Sequence, residues 1–161
     1  MTLDLEVKIS SRQPDETAAM LELWLAAWRA TYDEIDFGAR SDWFLRRLAE
    51  LEAQGAVALC ARVDSPRALT GFVVIDPKSG WLDQLCVHPD HFGSGVAQAL
   101  LAAARRASPS AVRLDVNADN IRALRFYERE GFVRLGPGVP SRSGRTTVVL
   151  EWLPSPNRPP R

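Results

Sequence analysis

A short glycine-containing turn at the start of a helix is the segment of this 161-residue sequence best suited to bind a ligand. The apolar run 85–87 leads through Pro89 into Gly93-Ser94-Gly95, after which a helical pattern begins. Glycines at such a turn let backbone N–H groups approach an anion closely, and the unpaired amides of the first helical turn add the positive end of the helix dipole. The pattern predicts a phosphate site, and a pyrophosphate is the expected ligand.

Two common nucleotide motifs do not fit this glycine turn. No Gly-Lys-Ser/Thr follows it, which excludes a Walker A loop, and Gln98 stands where the dinucleotide fingerprint has its third glycine. A Gly-x-Gly at a helix start is by itself equally typical of a simple turn. The turn therefore needs a second motif before it indicates a function.

A second motif follows the next predicted strand, and together the two resemble the GNAT acetyltransferases. The coenzyme motif of that family reads Arg/Gln-x-x-Gly-x-Gly/Ala, and a later motif reads Asn-x-x-Ala-x-x-Phe-Tyr-x-x-x-Gly-Phe. The present sequence matches the later motif at Asn120, Ala123, Phe126, Tyr127, Gly131 and Phe132. It departs from the coenzyme motif at Phe92, which replaces Arg or Gln and cannot donate a side-chain hydrogen bond. The same later segment is also compatible with a purely structural amphipathic helix.

The resemblance implies an acetyl-CoA-dependent N-acetyltransferase, with acetyl-CoA as the acyl donor and no metal. It implies that Tyr127 is the general acid that protonates the departing thiolate, although a buried tyrosine with a structural role is the alternative. Asp83 is the candidate base or water relay, expected to lie on the same strand face as Leu85, and a surface salt bridge is the alternative for it. The resemblance assigns the following residues to the coenzyme: Leu85, Cys86, Val87, Phe92, Gly93, Ser94, Gly95, Val96, Ala97, Asn120, Ala123, Phe126 and Tyr127.

The acceptor is expected to be a primary amine of a small molecule or peptide. In the family, the connection between the first two helices borders the acceptor groove, which implies Trp28, Tyr32 and Asp36 as acceptor residues. A helix end with solvated carboxylates is the alternative for that segment. A homodimer is compatible with the family pattern, because its final strands often form dimers. Two other functions stay open at this point, namely a noncatalytic acyl-CoA-binding regulatory module and an interaction protein without coenzyme.

The histidines and the cysteines are two further groups of residues that could carry chemistry. His88 and His91 crowd one loop without a second ligand cluster, so no metal site is predicted. Cys60 and Cys86 both lie in apolar runs, where a thiol has a raised pKa and behaves as a small buried hydrophobe. Neither a disulfide nor a thiol nucleophile is expected.

The composition points to one compact domain. The chain is 46% hydrophobic and 25% charged, with a formal net charge of zero, so there is no global field to attract nucleic acid. The start of the chain lacks the features of a secretion signal, and no apolar stretch reaches the roughly 20 residues of a membrane span. We expect a cytoplasmic protein without a membrane partner, with residues 1–153 forming the domain and a disordered, proline-rich tail at 154–161.

Hydrophobic periodicity predicts a single mixed α/β domain, and the resemblance implies a GNAT-like fold with a mostly antiparallel central sheet flanked by helices. The helices are expected at 16–32, at 42–54 with Ser41 as N-cap, at 94–107 and at 120–130. The strands are expected at 5–9, 56–63, 69–75, 81–87, 112–116, 132–135 and 146–152.

Overall fold

The computed structural model describes residues 7–64 and 67–155, in which four helices and seven strands alternate as the sequence predicts. The helices are α1 (Thr17–Thr31), α2 (Ser41–Ala53), α3 (Val96–Ala107) and α4 (Ile121–Arg129). The strands are β1 (Lys8–Ser11), β2 (Val57–Asp64), β3 (Arg67–Ile75), β4 (Leu82–Val87), β5 (Val112–Asn117), β6 (Val133–Pro137) and β7 (Thr147–Trp152). The predicted order β1-α1-α2-β2-β3-β4-α3-β5-α4-β6-β7 is confirmed.

The strands form two antiparallel sheets that meet at one point. The first sheet has the order β1-β2-β3-β4, and the second has the order β5-β7-β6. Between β4 and β5 the described residues make a single parallel bridge, from Trp81 to Arg113, supported by a 2.9 Å hydrogen bond from the Arg113 amide to the Gly80 carbonyl. We call this bridge the seam between the two sheets. Beyond it β4 and β5 separate, and the separation creates the site described below.

Two apolar clusters cover the two faces of the sheets. One contains buried residues of α1 and α2, such as Trp24 and Phe44, packed against Phe72 of β3. The other contains residues of α3 and α4, such as Leu100 and Leu124, packed against both sheets. The periodic stripes predicted for α1 and α3 are buried, because each helix turns one apolar face to the sheet.

The predicted boundaries hold to within about two residues, with one wrong cap. Ser41 is the first residue of α2 and Arg40 is its N-cap, because a 3₁₀ turn at Gly38–Arg40 runs directly into the helix. The Ser41 hydroxyl therefore donates to the Gly38 carbonyl at 2.9 Å instead of capping α2. Residues 5–6 of the first predicted strand and residues 156–161 of the predicted tail lie outside the described residues.

The state of the cysteines and the apolar character of the helices complete the description of the fold. Cys60 and Cys86 are free and buried, as predicted. Within residues 7–64 and 67–155, no helix combines the length and apolar character that a bilayer span requires.

Candidate active site

A central cavity of about 580 Å³ opens where β4 and β5 separate. The α1–α2 segment forms one wall and the β6–β7 loop forms another, while the floor comes from the diverging strands. Asn120, Ala123 and Tyr127 of the α4 region close the far end. Groups from the Asn120 motif, from β4 and from the predicted acceptor segment therefore converge on one space.

The glycine loop (residues 92–97) lies outside this cavity, at the start of α3. Gly93 and Gly95 have φ angles of 76° and 93°, and Gly95 is the N-cap of the helix. A Cβ atom added to either glycine would meet no atom within 4 Å, so the space above the loop is open. The first-turn amides of α3 lack intrahelical acceptors and face outward from the N-terminus. This geometry suits an anion held by backbone N–H groups.

Phe92 of the glycine loop is paired with a positive charge from α4. Its ring is 37% exposed, and the Arg122 guanidinium carbon lies 3.9 Å from the ring centroid. A guanidinium over a ring at this distance is held by a cation–π interaction. Position 92 lacks the family's arginine or glutamine, but the guanidinium of Arg122 lies beside it. The sequence did not predict this contact, because the two residues are distant in sequence.

The α4 motif orders the far end of the cavity. Asn120 is the N-cap of α4, and its side chain accepts a 3.3 Å hydrogen bond from the Ala123 amide. Tyr127 is 7% exposed and packs edge-on against Phe126 and Phe132, with ring centroids 5.1 and 5.3 Å away. These contacts fix the Tyr127 ring while the residue still lines the cavity.

Burial raises the pKa of Tyr127, and the nearby Cys86 thiol raises it further. The phenol therefore keeps its proton throughout the neutral range and can act as a donor. Burial also raises the pKa of the Cys86 thiol, so it stays protonated and unreactive. Cys86 belongs to the buried cluster under α1 and α2, in agreement with its predicted structural role.

Asp83 lies in the cavity, bound to α2. Arg47 donates to its carboxylate at 2.6 Å and 3.4 Å, and the Asp83 side chain is only 10% exposed. The expectation that Asp83 shares a face with Leu85 is wrong. The register of β3 and β4 shifts between Val74 and Ile75, so Asp83 is an extra residue in a bulge. The bulge turns its side chain toward Arg47, whereas Leu85 packs on the α3 side.

Asp115 is a functional candidate that sequence reasoning missed. It lies on β5 between the buried Leu114 and Val116, so its carboxylate points to the opposite face and lines the cavity. Neighbouring protein displaces water around it and raises its pKa, and the negative charge of Asp83 adds to this effect. A polar residue between two apolar strand residues, just before the Asn120 motif, is the signal that could have indicated it.

An aromatic wall lines the cavity on the α1–α2 side. Trp24, Trp28, Phe37 and Trp43 form it, with Trp24 centred 5.7 Å from Phe37 and 6.3 Å from Trp43. Trp28 stacks on Tyr32 at 6.0 Å, and both of these predicted acceptor residues line the cavity. Asp36 does not line it. Its carboxylate instead accepts a 3.2 Å hydrogen bond from the Ala39 amide at the turn before α2.

A charged network ties this side of the cavity to the opposite loop. The Tyr32 hydroxyl donates to Asp119 at 2.6 Å, and the Arg145 guanidinium carbon lies 4.3 Å above the Tyr32 ring. Arg145 also pairs with Asp119 and Glu34. Burial and the Asp119 hydrogen bond raise the pKa of Tyr32 to about 12. Three separate segments are thus joined at the cavity edge.

His88, in the loop after β4, has a structural role. His88 Nδ1 accepts a 3.1 Å hydrogen bond from the Asp90 amide and so caps the turn that precedes the glycine loop. Among the residues that the structure describes, no group of three or more histidine, cysteine or acidic side chains could hold a metal ion.

Comparison with known proteins finds a matching family and similar solved structures for this chain. The sequence model of the Acetyltransferase (GNAT) family matches residues 17–132. The chain is similar in structure to the PaiA N-acetyltransferase of Thermoplasma acidophilum in complex with coenzyme A, with 18% identity and a TM-score of 0.73 over 92% of this chain and 99% of that one. YncA, a putative acetyltransferase from Salmonella typhimurium with its cofactor acetyl-CoA, is 20% identical with a TM-score of 0.63 over 97% of this chain and 98% of that one. A comparison with curated protein sequences finds no significant match.

Proposed function

Because the chain belongs to the GNAT family of acetyltransferases, we propose that it transfers an acetyl group from acetyl-CoA directly to a primary amine of a small molecule or peptide. The observation that carries this proposal is the central cavity, which joins an aromatic wall to the gap between β4 and β5. Tyr127, Asp83 and Asp115 all line that cavity. A proton donor and two proton acceptors therefore share one space with room for a small acceptor.

The glycine loop fits the pyrophosphate of the acyl donor. Positive φ angles at Gly93 and Gly95 and the open space above them allow close approach of an anion to the backbone. The N-terminus of α3 adds a favourable dipole. Arg122, held over Phe92, supplies the positive charge that a side chain at position 92 does not. The backbone amides of the loop and the Arg122 guanidinium thus suit an anionic coenzyme.

Tyr127 suits the role of general acid. When the amine nitrogen attacks the thioester carbonyl, a C–N bond forms and the C–S bond breaks, so the sulfur must gain a proton. The described residues include two tyrosines, Tyr32 and Tyr127. The raised pKa of Tyr127 keeps its hydroxyl proton available for donation. Its fixed ring allows repeated donation from one position.

Asp115 suits the role of general base, and Asp83 is the second candidate. The acceptor amine must lose a proton as it attacks, and a carboxylate with a raised pKa is a better acceptor than an ordinary one. Asp115 has no ion pair within 4 Å among the side chains that the structure describes, whereas Asp83 is bound by Arg47. In this proposal Asp83 acts through its charge on Asp115 or through water.

The test is release of free thiol from acetyl-CoA with a panel of amines: amino acids, polyamines, aminoglycosides and peptides. We expect turnover with at least one class, and about a 100-fold lower kcat in Tyr127→Phe with unchanged coenzyme binding. Arg129→Gln is the control, because Arg129 is exposed on the same helix outside the cavity and its replacement leaves the phenol and its ring contacts in place. Coenzyme binding without turnover on any amine would contradict the enzyme and favour a noncatalytic acyl-CoA-binding module.

A further inference from the structure

We propose that the acceptor is a small amine that also carries an anionic oxygen group, a carboxylate or a phosphate, bound by Arg40 and Arg142 at the aromatic wall. This inference rests on the proposed acetyl transfer and specifies its acceptor. Both arginines line the central cavity. Both are held against rings of the aromatic wall, with Arg40 5.3 Å from the Phe37 centroid and Arg142 5.0 Å from the Trp43 centroid.

The pairing of charges in the cavity leaves these two arginines available. Three arginines and three carboxylates line it: Arg40, Arg47, Arg142, Glu50, Asp83 and Asp115. Arg47 is bound by Asp83 and also feels the charge of Glu50. Within the described ranges, neither Arg40 nor Arg142 has a carboxylate within 4 Å, and each keeps its guanidinium donors for a ligand.

The wall between the two arginines offers a further donor. Trp24 contacts both Phe37 and Trp43, and its indole Nε1 is buried with no hydrogen-bond partner among the described residues. Guanidinium and indole groups donate hydrogen bonds and accept none. A wall of donors recognises oxygen acceptors, and a planar guanidinium binds carboxylate or phosphate in a bidentate manner.

The opposite side of the cavity has the reverse character. Asp115 and Glu50 are the cavity carboxylates without an ion pair within 4 Å in the part of the chain that the structure describes, and Asp115 lies on β5 at the strand gap, away from the aromatic wall. An amine is attracted to that side and an anionic group to the arginines. The charges therefore orient an amine that carries an anionic group, with its nitrogen toward the gap. A polycation meets two arginines without an ion pair at the wall instead.

The experiment compares matched acceptors that differ only in the anionic group. The thiol-release assay is run with L-phenylalanine, L-phenylalaninamide and phenethylamine, then with L-lysine and cadaverine, and with O-phosphoethanolamine and ethanolamine. We expect at least tenfold higher kcat/KM for the anionic member of the preferred set. The phenylalanine and lysine sets report on carboxylates, and the last set reports on phosphate.

Variants locate the selectivity at the wall. Arg40→Gln and Arg142→Gln are each expected to raise KM for the anionic acceptor about tenfold, to remove the preference over the neutral amine, and to leave KM for acetyl-CoA unchanged. Arg46→Gln is the matched control, because Arg46 lies on α2 and is exposed outside the cavity. Thermal melting of each variant checks that it folds.

Two results overturn the inference and leave acetyl transfer intact. One is equal or better turnover of the amides, decarboxylated amines or cadaverine. The other is a preference for anionic acceptors that persists in both arginine variants. If no amine is acetylated, the proposed function itself fails and the inference fails with it.

Discussion

The glycine loop and the central cavity are built in opposite ways. The loop offers backbone amides, and its proposed binding of the coenzyme depends on two glycine φ angles more than on any side chain. The cavity is lined by side chains from four separate parts of the chain, and its chemistry depends on which carboxylate has an arginine partner. We therefore expect the loop to tolerate changes of side chain and the cavity to tolerate few.

The largest expected effect lies in the cavity, at Asp115. Asp115→Asn removes the proton acceptor and is expected to lower kcat/KM by about 100-fold or more at neutral pH. The wild-type acidic limb, set by a carboxylate pKa above its ordinary range, should disappear in the variant. The measurement is a pH profile of kcat/KM by thiol release. Asp83→Asn is the comparison, and if it alone abolished the acidic limb, the base would be Asp83.

A smaller effect is expected in the loop, at Gly95. Its φ of 93° is costly for a residue with a Cβ, roughly 1–2 kcal/mol, although the added methyl group itself meets no atom. Gly95→Ala is expected to weaken coenzyme binding about tenfold with kcat unchanged at saturation, as measured by calorimetric titration. Ser94→Ala is the control, because the Ser94 hydroxyl donates only to the His91 carbonyl and the residue is exposed. Loss of binding in the control alone would break the comparison.

The Arg122 side chain, which reaches the glycine loop from α4, should contribute less to coenzyme binding than the loop backbone does. Arg122→Gln removes the guanidinium over Phe92 and is expected to weaken coenzyme binding about threefold, with a reduced dependence of Kd on salt. Arg125→Gln, on the same helix and exposed, should leave Kd and its salt dependence unchanged. Equal effects in both variants would mean that Arg122 acts only through general charge.

The smallest expected effect is on stability, again at Asp115. The raised pKa means that the folded state favours the protonated acid, so stability is lost as pH rises through the folded pKa. Asp115→Asn should therefore melt at a slightly higher temperature than wild type at pH 7, and the difference should vanish near pH 3. A lower Tm at pH 7 would show that the charged carboxylate stabilises the fold.

The same contrast explains which features the sequence could predict. The element order and the α1 and α3 stripes follow from local periodicity, and so does the Gly-Ser-Gly turn before α3. The contact between Phe92 and Arg122 and the freedom of Asp115 depend on residues that are distant in sequence. The Asp83 orientation was wrong because a bulge in β4 reverses the alternation that a regular strand would have. The Ser41 cap was wrong because a 3₁₀ turn extends the helix one residue upstream.

The seam between the two sheets has a consequence for how the chain folds. Strands β1 to β4 are consecutive in sequence, and so are β5 to β7, so each sheet can pair its strands without the other. The link between them is the Trp81–Arg113 bridge, where a Cβ on Gly80 would lie 2.4 Å from the Ala111 carbonyl oxygen. We expect each sheet to pair its strands locally, and the seam to form as α3 packs against both sheets. The cavity, which neither sheet contains alone, would then form together with the seam.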